Sequence, residues 1–125
     1  MRLPILLFAP DPVAARALAR QLRHAGFVIY MAFDGTEAIS NARGGQYACI
    51  VVIADLADSQ MRHCLHEIRG ADPDTWLIVI SDPSFDTSAD VVRELGGDAT
   101  LRVPFTVSDL AQRLSVLPNR VRPVA

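Results

Sequence analysis

Residues Ile5–Arg16 read ILLFAPDPVAAR: four apolar residues, then Ala-Pro-Asp-Pro, then the start of a helical pattern. An apolar run without polar alternation is what a parallel strand covered on both faces requires. Asp11 stands where a helix N-cap belongs. Pro12 follows in the first turn, where a missing N–H costs a helix nothing. Ala14, Leu18, Leu22 and Ala25 continue at helical spacing, and Gly26 supplies a stop. The stretch is one β/α unit. Its strand ends in Ala9 and Pro10, at the edge where α/β sheets gather ligands, yet neither side chain donates, accepts or ionises.

The same alternation runs to the end of the chain. Phe27–Ala32 is a second strand, Asp34-Gly35 turns the chain, and Thr36–Arg43 is a short helix with Ala38, Ile39 and Ala42 inward. Ala48–Ala54 (ACIVVIA) is the most uniformly apolar strand, which predicts a central position. Met61, Cys64, Leu65 and Ile68 mark a helix closing near Gly70. Trp76–Ile80 is a fourth strand, and Ser81-Asp82-Pro83-Ser84 reads as turn chemistry. Val91, Val92 and Leu95 mark a helix stopped by Gly96-Gly97, and Ala99–Val103 is a fifth strand. Thr106-x-x-Asp109 resembles a capping box ahead of Leu110, Leu114 and Leu117. Five such units predict a five-stranded parallel sheet with helices on both faces, a doubly wound, flavodoxin-like α/β fold. Residues 1–117 form one expected domain and residues 118–125 a short tail.

Composition narrows the function. The 125 residues carry a net charge of −2, and all twelve basic residues are arginine, without a basic run. Direct nucleic-acid binding is therefore disfavoured. No apolar run suits a bilayer span, and the opening MRLPILLFAPDP is too short and too soon interrupted for a signal peptide, so a cytoplasmic location is expected. Cys49 and Cys64 lack Cys-x-x-Cys spacing and are expected to be reduced and buried. His63 and His66 flank Cys64 at i, i+3 spacing without an acid to complete a metal set. They and His24 read as surface residues.

The framework residues resemble the receiver domain of bacterial two-component response regulators, from about Ile5 to Leu117. Pro12, Ala25-Gly26-Phe27, Asp34-Gly35-Thr36-Glu37-Ala38, Tyr47, Ile68-Arg69, Gly96-Gly97-Asp98 and Pro104-Phe105 carry it, in order and in register. The resemblance implies a phosphoryl-accepting aspartate after the third strand, an acidic pair holding Mg²⁺ after the first, a hydroxyl after the fourth, and a lysine and an aromatic on the fifth. Those positions fall here on Ile53, on Ala9 and Pro10, on Ser81, on Val103 and on Thr100. Only the hydroxyl keeps its type. Removing the acids and the lysine together leaves a neutral patch, free of the repulsion that buried carboxylates without a counter-ion would suffer.

These residues imply a degenerate, pseudo-receiver signalling module: not an enzyme, without a bound Mg²⁺ or other cofactor, acting through a protein partner such as a histidine kinase or a downstream regulator. The family's contact surface corresponds to Thr87–Leu95, Ala99–Val103 and Ser108–Leu117, which would also serve a homodimer. Neither nucleic acid nor membrane is an expected partner. Asp11 is read as a cap rather than a metal ligand, and Asp58 as a charge near a helix start. Asp55, two residues beyond Ile53, is the alternative phosphoacceptor. A small-ligand or enzymatic doubly wound domain is the remote alternative, opposed by a loop, APDP, that offers few free donors to a phosphate. Trp76 and Phe105 are expected to pack, and the Val103–Pro104 bond to be cis as in the family.

Overall fold

The computed structural model describes residues 4–45, 47–54, 58–81, 93–102 and 106–115. Strands β1 (Pro4–Phe8), β2 (Val28–Ala32), β3 (Cys49–Ala54), β4 (Trp76–Ser81) and β5 (Ala99–Arg102) form a single sheet. Every pairing is parallel and the order is β2-β1-β3-β4-β5, so the uniformly apolar β3 takes the centre. The described helices are α1 (Pro12–His24), α2 (Gly35–Arg43), α3 (Ser59–Ala71) and α4 (Val107–Ser115). Of the predicted helix around Thr87–Leu95, residues 87–92 lie outside the described residues; Leu95 is buried.

Because side chains alternate along each strand, the sheet builds two cores. On one side Leu6, Phe8, Ile50, Val52 and Val79 pack against α2 and α3. On the other, Ile5, Leu7, Val51, Ile78 and Ile80 pack against α1 and α4. Each fully buried Leu or Ile contributes about 1.5–3 kcal/mol relative to an exposed one, so β1 and β3, apolar on both sides, anchor the sheet.

The helix register corrects one sequence expectation. In α1 the buried residues are Ala15, Leu18, Ala19 and Leu22, while Ala14 and Ala25 are exposed. Asp11 caps the helix, its Oδ1 accepting from Val13 N at 3.0 Å, and that fixes which residues rotate toward the sheet. Gly26 ends the turn after α1 at φ +102°, a left-handed conformation that suits glycine. The expected capping box at α4 forms as read: Thr106 N donates to Asp109 Oδ2 at 3.1 Å, and Asp109 N to Thr106 Oγ1 at 3.0 Å.

Candidate functional site

The carboxyl ends of the strands bring the site positions together. Phe8 lies opposite Val52, so Ala9 and Ile53 are the next residues along their adjacent strands. Ala9 is 1 % exposed and its N–H donates to Ala32 O at 3.1 Å. It belongs to the core under α1 and α4, and Ile53 packs against that same core. The two positions that would carry a metal ligand and a phosphoacceptor in an acting receiver are here apolar contacts. Pro10 and Asp11 are exposed, and one oxygen of Asp11 is engaged in capping α1.

Ser81 departs from its reading as turn chemistry. It is the last residue of β4, in register with Ala54 on one side and Arg102 on the other, and is 2 % exposed. Its hydroxyl has no hydrogen-bond partner among the described residues, and neither has the buried hydroxyl of Thr100. Thr100 lies opposite Val79, which faces the α2 and α3 side. Alternation along β4 places Ser81 on that side too, whereas Ile53 and Ala9 face the other. The described site is thus an apolar patch and, across the sheet from it, two unpartnered hydroxyls. Asp55, Val103, Pro104 and Phe105, and with them the Val103–Pro104 bond, lie outside the described residues.

No group of three or more His, Cys, Asp and Glu among the described residues is placed to hold a metal ion. His63 and His66 are exposed, and His63 Nε2 sits 2.7 Å from Glu67 Oε1 one turn on. His24 is exposed as well, and Cys49 and Cys64 are buried, as expected, and not joined in a disulfide. Trp76 is half-buried against the α1 and α4 core. No helix among the described residues is long and apolar enough to cross a membrane.

Sequence reading did not foresee the connections made by Arg69. Its guanidinium reaches Gly96 O at 2.8 Å, Thr75 O at 2.8 Å and Asp98 Oδ2 at 2.7 Å, and Asp98 Oδ2 also accepts from Leu77 N at 2.9 Å. One side chain therefore ties the end of α3 to the starts of β4 and β5. A separation of 29 residues between Arg69 and Asp98 leaves no periodic trace; the signal was that both belong to the family framework.

No family model matches the sequence. The chain is 29 % identical over 118 residues to the probable transcriptional regulatory protein TcrX of Mycobacterium tuberculosis, a match covering 93 % of this chain and 50 % of that protein. A Francisella response-regulator receiver domain superposes with a TM-score of 0.79 at 22 % identity, covering 92 % of this chain and 95 % of that one. The chain has the fold of response-regulator receiver domains and is similar in sequence to response regulators. It spans about half the length of the curated relatives it matches. The receiver fold alone does not fix activity: an adenylate cyclase structure from Rhodopirellula baltica superposes at TM-score 0.78 and 19 % identity, covering 92 % of this chain and 86 % of that one.

Proposed function

We propose that this receiver-like domain signals by binding a protein partner without accepting a phosphoryl group. The observation that carries the reading is that buried Ala9 and half-buried Ile53 pack against the apolar core at the positions that resemblance assigns to a metal ligand and the phosphoacceptor. Aspartyl phosphorylation needs a carboxylate nucleophile in line with phosphorus, and a cation or metal to neutralise the developing charge. Neither side chain supplies either.

The partner surface is the edge formed by β5 and α4. There Leu101, Asp109, Gln112 and Arg113 line a shallow cleft of about 390 Å³ that mixes apolar and charged groups. A kinase-derived helix, a downstream regulator or a second copy of the chain would meet that edge. Thr100 in place of the family's aromatic removes the bulky side chain whose rotation would report phosphorylation, consistent with a surface held in one state.

Intact mass spectrometry after incubation with Mg²⁺ and a small-molecule phosphodonor tests the reading, with Asp55→Asn alongside. No added phosphoryl mass is the expected result. Labelling that disappears in Asp55→Asn would overturn it and make Asp55 an unconventional acceptor.

A further inference from the structure

The sheet ends on one side at β2, and nothing in that strand guards its edge. Phe27–Phe33 reads FVIYMAF, without a charge, a proline or a glycine. Edge strands are ordinarily blunted by lysine, proline or a bulge, because their outer N–H and C=O groups are a template for another chain. Ala9 N donates to Ala32 O, so Ala32 faces β1, and alternation turns the backbone groups of Ile29 and Met31 away from the sheet. Arg23 meets one of these, its Nη2 donating to Ile29 O at 2.6 Å. The outward N–H and C=O of Met31 meet no partner among the described residues. The side chains leave apolar surface beside them. Tyr30 is 51 % exposed, its ring set edge-on to Tyr47 with centroids 5.7 Å apart, and Val28, Met31 and Phe33 are half-buried.

Charge decides what fits this edge. The helices before and after β2 run back toward the amino end of the sheet, as crossovers between parallel strands require. Their last turns are basic, with Arg23 and His24 in α1 and Arg43 in α2. Arg20, Arg23 and His24 line a shallow cleft of about 460 Å³ whose described lining holds no acidic group. At the carboxyl end of β2 stand the exposed Asp34 and Glu37, with Arg16 stacked over Phe33, 5.6 Å from the ring centroid. An edge that is basic at one end and acidic at the other complements itself only when reversed. A twofold axis supplies that reversal, since it sets each residue of one copy against the same patch of the other.

We propose that β2 pairs antiparallel with β2 of a second copy of this chain, about a twofold axis near Met31, joining the two sheets edge to edge. Met31 N–H and C=O gain main-chain partners, and Glu37 of each copy approaches the basic cleft of the other. One strand pair buries little surface, so the contact belongs to the small, transient class of interfaces. It leaves the β5 and α4 surface, at the opposite edge, free for a different protein. The proposal does not depend on whether the domain accepts a phosphoryl group.

The test is sedimentation velocity on the full chain across a concentration series, with amide hydrogen exchange followed by NMR. The expected result is a monomer–dimer equilibrium that weakens as salt rises, with exchange at the Met31 amide slowed in step with the dimer fraction. Tyr30→Lys sets a lysine from each copy on the shared edge, and because that side chain is already exposed the variant should fold and stay monomeric. Glu37→Arg turns the attraction at the basic cleft into repulsion and should weaken the dimer about tenfold or more. Gln112→Lys, on α4, should dimerise like the parent. A monomer at every concentration would overturn the proposal, as would a parental dimer in Tyr30→Lys or in Glu37→Arg. A dimer that Gln112→Lys breaks would do the same, by placing the contact at β5 and α4 instead.

Discussion

Arg69 is a clear case of a residue whose meaning lies in distance rather than sequence. Besides Gly96, Thr75 and Asp98 it donates to Pro73 O at 3.1 Å, with Asp72 O at 3.5 Å on the margin, and both Arg69 and Asp98 retain 21 % side-chain exposure. Truncating it removes the ion pair with Asp98 and leaves several carbonyls short of a donor. Arg69→Ala should lose about 2–3 kcal/mol in urea unfolding, toward the low end of a broken buried pair because solvent still reaches this one. Arg69→Lys should recover less than half, since an ammonium cannot reproduce the planar fork. Ser81 predicts the opposite sign. Among the described residues the buried Ser81 hydroxyl has no partner, so its desolvation cost is uncompensated there and Ser81→Ala should raise stability by about 1 kcal/mol in a thermal melt. Destabilisation instead would mean that the hydroxyl is satisfied by water or by the residues that follow β4.

At the scale of elements, caps and strands were legible and rotations were not. Asp11 caps α1 as read, because a short side-chain oxygen beside orphan N–H groups is a local event that spacing reveals. Asp34, read as a turn residue, and Asp58, read as a helix-start charge, also cap, accepting from the first turns of α2 and α3. The inward face of α1 was misassigned by one position, Ala14 for Ala15, since alanine is too small to mark a face in a helix where it recurs. Ser81 was read as part of a turn because Ser-Asp-Pro-Ser is turn-like, and the pairing of β4 with its neighbours makes it the strand's last residue instead. The α4 cap yields a pH prediction. The backbone N–H of Thr106, then its hydroxyl, hold the Asp109 carboxyl below its usual 3.8. A folded value lower than the unfolded one means the unfolded chain binds the proton first. The cap's contribution is complete above about pH 4 and fades as pH falls through the lower folded value. Asp109→Asn should remove that part of the acid slope, measured as helix content or unfolding midpoint between neutral pH and pH 3.

For the whole molecule, the fold was legible because it follows from alternating β/α units, while the state of its site follows from what each strand end packs against. Ile53 sits on the central strand against the α1 and α4 core. Placing there the aspartate that the resemblance implies, Ile53→Asp, removes apolar contact and puts a carboxyl in the same surroundings, which should cost roughly 2–3 kcal/mol at neutral pH. The loss should depend on pH in a defined direction. Desolvation raises the folded pKa of such a carboxyl above its unfolded value of about 3.9, so the folded state keeps its proton longer. The variant should approach the parent below that value and weaken as pH rises toward the raised one, the reverse of the Asp109 effect. Guanidinium unfolding at pH 3.5 and at pH 7 measures the difference directly. A pH-independent loss would mean that the introduced carboxylate reaches water, and that Ile53 is a surface contact rather than an extension of the core. Because Ala9 and Pro10 still offer no ligand to Mg²⁺, the same variant should gain no phosphoryl mass from a phosphodonor. Gain of label by Ile53→Asp alone would show that one carboxylate is enough to revive the site, and that its loss, rather than the dismantling of the whole pocket, silenced it.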